Sequence, residues 1–494
     1  MCIVVIDVGT SSMRAIVYDH LGNKRLVRQK KYRPVYKSDI CVEQNPQEWK
    51  DALTSLLKEC ADGMEKNDYK IDAVSITSQR SSVIPIGKDD QPIGNAIMWQ
   101  DKRSIPLLKE IAKESEQIFQ KAGSRPNPVY TASKIMWLKR NMPKIYKNSR
   151  RMAVIPDYLI HEMTGEWVTD ATYGSRSLLM NIKTLDWDET LLKIFEVDRD
   201  KLNTIVRQGS IAGFVRKEFA SITGLRTGIP VITAGGDQQC GAMGSGSVSL
   251  GHVVVSAGTG AYVVTTTDHI SDNLNGSINC NVSGIPGKYI LEGSILSCAS
   301  ALDWFLRLLY GMRDENRHSV YRQLNQEVKE VFTKKHMPYI LPFFQGRGTP
   351  DWNSKAKGGV LDLTLDTCRG DLVCSLMESL AYEIDENIKL MERYGDPVKR
   401  VVLSGGMANS EAFNTVLSNV CERKIYHYKD SEATAAGAWI SAAVTMEIYK
   451  DHEEAFKQIR KDQECFCNNF SEESARRYKE RNICYKEIYR RVYG

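Results

Sequence analysis

No stretch of the 494-residue sequence approaches the eighteen or so consecutive apolar residues that a membrane-crossing helix needs. The opening residues, MCIVVIDVGT, lack the basic start and small-residue cleavage site of a secretory signal. A cytoplasmic location is therefore expected, with no membrane partner. A basic block is missing too: 66 Lys and Arg stand against 61 Asp and Glu, for a net charge of +5. The most basic stretches, LGNKRLVRQKKYR and YKEIYRRVYG, interleave charge with apolar residues. They read as solvated faces of strands or helices, so no nucleic-acid partner is expected. Histidine is scarce, at eight, and the twelve cysteines are scattered, with only Cys465 and Cys467 close together. No ladder of metal-ligand spacings joins them to histidine, which argues against zinc, and most of them read as buried thiols of a reducing compartment.

What is present is an alternation of apolar runs with helical periodicity. CIVVIDV, IDAVSIT, IPVITAGG, HVVVSAG and RVVLSGG are nearly continuous Val/Ile/Ala runs, as expected of strands buried on both faces. Between them lie segments such as NPQEWKDALTSLLKECADGM, apolar at three- and four-residue spacing behind an Asn cap. The class is α/β. VVIDVGTSSMRAIVYDH has an echo at VVVSAGTGAYVVTTTDH, in which an apolar strand, Gly-Thr, an apolar return and Asp-His recur. Gly9 and Gly258 lie 249 residues apart, about half the chain, which suggests duplication. The Gly/Ser-rich AMGSGSVSLGH before the second copy suggests a boundary, dividing the chain into 1–246 and 247–494.

Small hydroxyl residues beside glycine let backbone N–H groups and hydroxyls come close to phosphate oxygens. Two such bends, one per half, suit a triphosphate, while a pair of plain hairpins is the alternative. Asp7, just before the first bend, is placed to hold Mg²⁺ through water, and Arg14 adds a cation on the return strand. In VITAGGDQQCGAMGSG a buried strand ends in Gly235 and Gly236, and Asp237 follows at its carboxyl end, where α/β folds place ligands. A carboxylate there can take the proton from a hydroxyl attacking phosphorus, though Asp is also a favoured helix cap. A third glycine turn, RVVLSGGMANSEAFN, lets the backbone approach an adenine or ribose at Gly405 and Gly406, with Asn409 offering its amide.

These blocks, together with SITSQRSSVIPIGKDDQPIGNAIMWQDKR, ASKIMWLKRNMP, PDYLIHEMTGEWVTDATYGSRSLL, LPFFQGRGTPDWNSKAKGGVLDLT and SEATAAGAWISAA, resemble the FGGY family of carbohydrate kinases along essentially the whole chain. The resemblance implies an actin-like ATPase fold: two duplicated lobes with ribonuclease-H-like sheets around a central cleft, binding ATP, Mg²⁺ and a small sugar or polyol. It implies that Asp237 is the catalytic base and that Asp7 lies near the metal. Gly9, Thr10, Ser11, Ser12 and Arg14 match the first phosphate loop, Gly258, Thr259 and Gly260 the second, and Gly405, Gly406 and Asn409 the adenosine loop. Ala299 and Asp303 fall at nucleotide-contact positions but differ from the residues expected of a glycerol kinase.

The first half is expected to supply the acceptor pocket, from Gln79, Arg80, Trp99, Gln100, Asp101, Asp237 and Gln238. QR, WQDKR and GGDQQ look like glycerol kinase. That subgroup follows the arginine with glutamate, whereas Ser81 and Ser82 stand here, and Val129 replaces its glycerol-contacting tyrosine, with Tyr130 one position along. Loss of such partners leaves glycerol under-satisfied by roughly 1–3 kcal/mol each. The favoured acceptor is a pentulose such as xylulose or a four- or five-carbon polyol. Glycerol is the alternative, and a non-catalytic, nucleotide-driven switch is a rival of another class. The C-terminal segment reads as an amphipathic helix covering the second half. A homodimer is entertained, with no residue pattern to decide it.

Overall fold

The structure, a computed structural model, describes residues 1–66, 69–332, 334, 336–430, 432–468 and 470–494. The chain forms two compact units. Unit 1 comprises Met1–Gly244, Asn279–Ile290 and Glu432–Lys461, and unit 2 comprises Ser245–Ile278, Leu291–Ser431 and Asp462–Gly494. Where the sequence suggested one cut after residue 246, the chain thus re-enters unit 1 twice. Among the described residues no helix is long and apolar enough to cross a membrane.

In unit 1, β1 (Cys2–Val8) is buried along its length except at half-buried Asp7, and β2 (Ser12–Asp19) returns antiparallel to it with Asp7 opposite Arg14. β3 (Lys24–Lys31) carries the basic stretch KRLVRQKK at the sheet edge, where alternate residues face solvent. Helix α1 (Pro46–Glu65) starts at Asn45, whose side chain accepts the Gln47 N–H, and buries Trp49, Leu53, Leu56, Leu57 and Cys60 against the sheet core. β4 (Ile71–Ser78) lies parallel to β1. Helices α2 (Thr131–Asn141), α3 (Ile155–Thr164) and α4 (Ala171–Ser175) precede β5 (Ser210–Phe214) and β6 (Pro230–Gly236). β6 runs straight into α5 (Asp237–Gly244). The sheet order is β5-β6-β4-β1-β2-β3, with β6, β4 and β1 parallel. Asp7 and the end of β6 therefore sit at the same end of the parallel strands on either side of β4, Thr77 pairing with both Asp7 and Gly235.

Unit 2 repeats the pattern. β7 (His252–Ala257) and β8 (Ala261–Thr267) form an antiparallel pair, and β9 (Tyr289–Ile295) neighbours β8. After α6 (Ala299–Tyr310) and the long, largely buried α7 (Arg369–Tyr394), β10 (Arg400–Ser404) lies parallel to β7, as β4 does to β1. Helix α8 (Glu411–Cys421) and β11 (Ile425–Tyr428) follow. The chain then crosses into unit 1 as α9 (Ala433–Thr445) and ends in unit 2 with β12 (Glu464–Cys467) and α10 (Glu472–Tyr493). The two copies of strand, Gly-Thr bend and strand occupy matching places in two sheets, the duplicated α/β plan that the sequence suggested.

Helix α9 completes unit 1. It crosses α5 so closely that a Cβ on Gly437 would lie 1.8 Å from the Cys240 carbonyl oxygen, and one on Gly244 would lie 1.9 Å from that of Ala433. Ser75 Oγ on β4 donates to the Ala438 carbonyl at 2.8 Å, and buried Trp439 donates its indole N–H to the Asp19 carbonyl. The run EATAAGAW is small because backbone meets backbone here.

Candidate active site

The first bend is tight: Gly9 N–H donates to the Ser12 carbonyl at 2.9 Å, and a Cβ on Gly9 would press that oxygen at 3.1 Å. Tyr32 Oη and Gln79 Nε2 both donate to the Gly9 carbonyl, at 2.7 and 3.1 Å. The Thr10 hydroxyl accepts the Trp99 indole N–H at 3.1 Å and lies 3.4 Å from Gln79 Oε1. Gln79 and Trp99, expected in the acceptor pocket, thus direct their polar atoms at the first bend. Gln79, 3 % exposed, is a strut under that bend, and Trp99 keeps only its ring for other contacts.

Asp101, also expected in the acceptor pocket, is tied up more completely. Its carboxylate accepts the backbone N–H groups of Val42 (2.7 Å) and Arg103 (2.9 Å) and pairs with the Arg103 guanidinium at 2.8 Å, which also reaches Glu43. With 1 % of its surface exposed, it braces the fold from within. Arg14, expected as a cation of the first phosphate loop, holds both carboxylate oxygens of Glu432 at 2.6 and 2.7 Å. Its charge is shared with a residue 418 positions away.

Asp237 opens α5 with its side chain 34 % exposed. Its Oδ1 accepts the Gln238 N–H at 2.8 Å and lies 3.3 Å from Arg80 Nε, and Arg80 also donates to Gln239 Oε1 at 3.2 Å. Gln238 itself is half-buried. The corner before Asp237 is held from several sides. Gly235 has φ +111° and its carbonyl accepts Thr77 Oγ1 and Tyr173 Oη. Gly236 N–H donates to Thr172 Oγ1 at 2.9 Å, and Thr172 Oγ1 in turn donates to buried Asp170 at 2.5 Å. A Cβ on Gly236 would strike the Arg80 side chain at 2.6 Å, so the glycine is what admits the arginine to the carboxylate.

The Asp7 carboxyl has few comforts. Burial foremost, then the charges of Asp237 and Glu432, push its pKa up to about 7 against the pull of Arg14, and no hydrogen bond from the described residues relieves it. Two carboxylates that repel one another, offering hard oxygen donors, are the set that suits Mg²⁺. One consequence is measurable without ligand. Because the folded chain keeps a proton on Asp7 that the unfolded chain releases near pH 4, this group stabilises less as pH rises toward 7, and above 7 its buried charge opposes folding in full. In metal-free buffer Asp7→Asn should melt above the wild type at pH higher than about 7, with the gap closing toward about pH 4. Melting curves that stay parallel across that range would contradict this account of Asp7.

In unit 2 the second bend is closed by Gly258 N–H donating to the Gly260 carbonyl at 2.9 Å, and Thr259 is exposed. The Gly258 and Thr259 carbonyls accept N–H groups from Ala299 and Cys298 at the start of α6, each at 2.9 Å. Ala299 therefore supports the bend through its backbone. Asp303 turns to Arg317 at 3.0 Å. The third turn packs on the second: Gly405, at φ +84°, would with a Cβ lie 2.5 Å from the Ala257 carbonyl oxygen. Gly406 and Asn409 are exposed on the short helix Gly406–Asn409, beside a cavity of about 550 Å³ lined by Asn409, Asn414, His427 and Phe466.

Residues 2–244 match the N-terminal domain, and residues 253–446 the C-terminal domain, of the FGGY family of carbohydrate kinases. The chain belongs to that family. A glycerol kinase from Thermococcus kodakarensis is 30 % identical over 457 residues, covering 91 % of this chain and 89 % of the relative. A gluconate kinase structure from Lactobacillus acidophilus superposes with TM-score 0.89 at 22 % identity, covering 99 % of this chain and 98 % of its own. A xylulose kinase structure from Rhodospirillum rubrum does so with TM-score 0.93 at 20 %, covering 100 % and 99 %. As an FGGY kinase the chain is an ATP-dependent phosphotransferase with an alcohol group of a small sugar or polyol as acceptor, which sets aside the non-catalytic switch.

Two features of this FGGY kinase had no single-residue signal in the sequence. Asp170 and Thr172 lie some 65 positions before the corner they hold, inside a stretch read only as part of the resemblance. Lys134, fully buried, donates to the carbonyls of Pro128, Val129 and Tyr130 at 2.7, 2.7 and 3.2 Å, fixing the segment that carries Val129. Burial draws its pKa down to about 7, opposed by the charge of Asp101.

Proposed function

We propose that the acceptor is a polyol or ketose of four or five carbons, phosphorylated on a primary hydroxyl with Asp237 as base. The observation that supports an acceptor larger than glycerol is the fate of the residues after Arg80. Ser81 and Ser82 are 3 % and 1 % exposed. Ser81 Oγ donates to the Arg176 carbonyl at 3.3 Å, and Ser82 Oγ accepts the Trp99 N–H at 3.1 Å. Neither offers the acceptor a carboxylate, so two neighbouring hydroxyls of glycerol would lose a strong shared partner. Ser81 also holds a left-handed backbone, φ 70°, of the kind that collects at ligand sites.

In this reading the Asp237 carboxylate takes the hydroxyl proton as the acceptor oxygen attacks the γ-phosphorus of ATP, and the bond to the β,γ-bridging oxygen breaks to release ADP. Arg80 and the Gln238 N–H hold the carboxylate in place. The 9–12 bend and the 258–260 bend are each read, within their own unit, as a phosphate loop, and Gly405, Gly406 and Asn409 as the turn that meets the nucleoside. Asp7 would hold Mg²⁺ through water, and the ion when bound neutralises charge on the phosphate chain.

A screen of ADP release across glycerol, erythritol, xylitol, xylulose, ribulose and gluconate tests this. Specificity, as kcat/KM, for a four- or five-carbon polyol or ketose should exceed that for glycerol by roughly tenfold or more. Glycerol as best substrate would favour the second reading, which the likeness to the Thermococcus glycerol kinase supports. Gluconate as best would overturn both.

A further inference from the structure

Helix α10 lies outside both stretches matched by the family, which end at residue 446, yet it grips a segment within them. Tyr485, Tyr489 and Tyr493, four residues apart, share one face of the helix. Tyr489 Oη donates to Asp351 at 2.5 Å and accepts Asn353 Nδ2 at 3.2 Å, with its ring 4.3 Å below the Arg347 guanidinium. Tyr493 Oη donates to the Lys357 carbonyl at 2.8 Å and accepts the Lys357 N–H at 2.9 Å. Tyr485 Oη joins the buried pair in which Glu383 receives Arg347 through two hydrogen bonds of 3.0 Å.

The gripped segment, 343–357, carries the QGRGTPDW motif, to which none of the chemistry above assigns a part. It seats directly on the end of β9. Thr349 N–H donates to the Ser294 carbonyl at 3.0 Å, Ser294 N–H donates to Thr349 Oγ1 at 2.9 Å, and a Cβ on Gly348 would lie 2.1 Å from the Ser294 oxygen. The next carbonyl along, that of Ile295, is the one a Cβ on Gly260 would meet at 2.6 Å. From Tyr489 to the second bend there is an unbroken sequence of close contacts, all within unit 2.

We propose that Tyr489 and Tyr493 are positioning residues for ATP: by pinning the 343–357 segment on β9 they fix the seat of the 258–260 bend. This rests on the reading of that bend as a phosphate loop, and the test separates the two. Tyr489→Phe/Tyr493→Phe keeps the rings and their packing and removes only the hydroxyls. It should raise both KM for ATP and the Kd of a fluorescent ATP analogue roughly tenfold, with KM for the acceptor unchanged. Gly260→Ala probes the bend directly and should weaken the same analogue. If Gly260→Ala weakens binding while the double variant binds as wild type, the tyrosines are structural only and the proposal falls. If Gly260→Ala binds normally, the phosphate-loop reading fails and the proposal falls with it. A double variant whose ATP and acceptor constants rise together would also overturn it, since general loosening does not single out one substrate.

Discussion

Asp237→Asn should lower kcat by roughly 10²–10⁴-fold while ATP binding stays near that of the wild type. The substitution keeps size and the side-chain oxygen that accepts the Gln238 N–H, so the start of α5 is preserved. What it removes is the capacity to take a proton, together with the charge that faces Arg80 at 3.3 Å. Asp237 is exposed enough to meet a hydroxyl, and the Gly235-Gly236 corner that aims it is tied through Thr172 to Asp170. Thr172→Val, which deprives the Gly236 N–H of its acceptor while leaving the carboxylate intact, should cost much less, on the order of tenfold in kcat. Steady-state rates with a saturating acceptor, alongside nucleotide titrations, decide the matter. Turnover near normal in Asp237→Asn would remove this residue from its assigned part.

Gly437→Val should be among the most damaging single changes in the chain, although it touches no ligand. The new side chain would enter space held by the Cys240 carbonyl, 1.8 Å from the Cβ, and backbone in the middle of a helix cannot swing aside as a lysine tip can. Overpacking commonly costs about 1–3 kcal/mol, and this site belongs at or beyond the upper end. Because α5 begins with Asp237, whatever fraction stays folded should also lose activity as that helix shifts. Gly406→Ala is the matched control: nothing lies within 4 Å of its added carbon, so the urea midpoint should barely move. Equal midpoints for the two variants would mean that the α5–α9 contact is looser than these distances imply.

The parts of the site legible in the sequence are those whose chemistry is local. Gly-Gly-Asp after a buried strand, and Gly-Thr between two apolar runs, announce a corner and a bend because only a few residue types permit the backbone path. The duplicated plan was legible for the same reason, since each copy runs twelve residues from its bend glycine to its histidine, Gly9 to His20 and Gly258 to His269. The partners of Asp101 and Gln79 were not legible, since each has a remote one: the Val42 N–H for the first and the Gly9 carbonyl for the second, 59 and 70 positions away. A carboxylate or amide at the end of a strand looks alike whether it meets a ligand or a distant backbone group. Glu432 escaped notice on the same ground, its part as the partner of Arg14 being visible only once α9 is folded against the first sheet.

That late helix bears on how the protein is made. A nascent chain emerging from the ribosome can lay down β1 to β6 early, but the flank that α9 covers stays bare until residues 432–461 have been translated. Expressed alone, the first 244 residues would present that uncovered apolar surface to chaperones or to one another. A fragment built to study unit 1 should therefore carry the 432–461 stretch joined behind it.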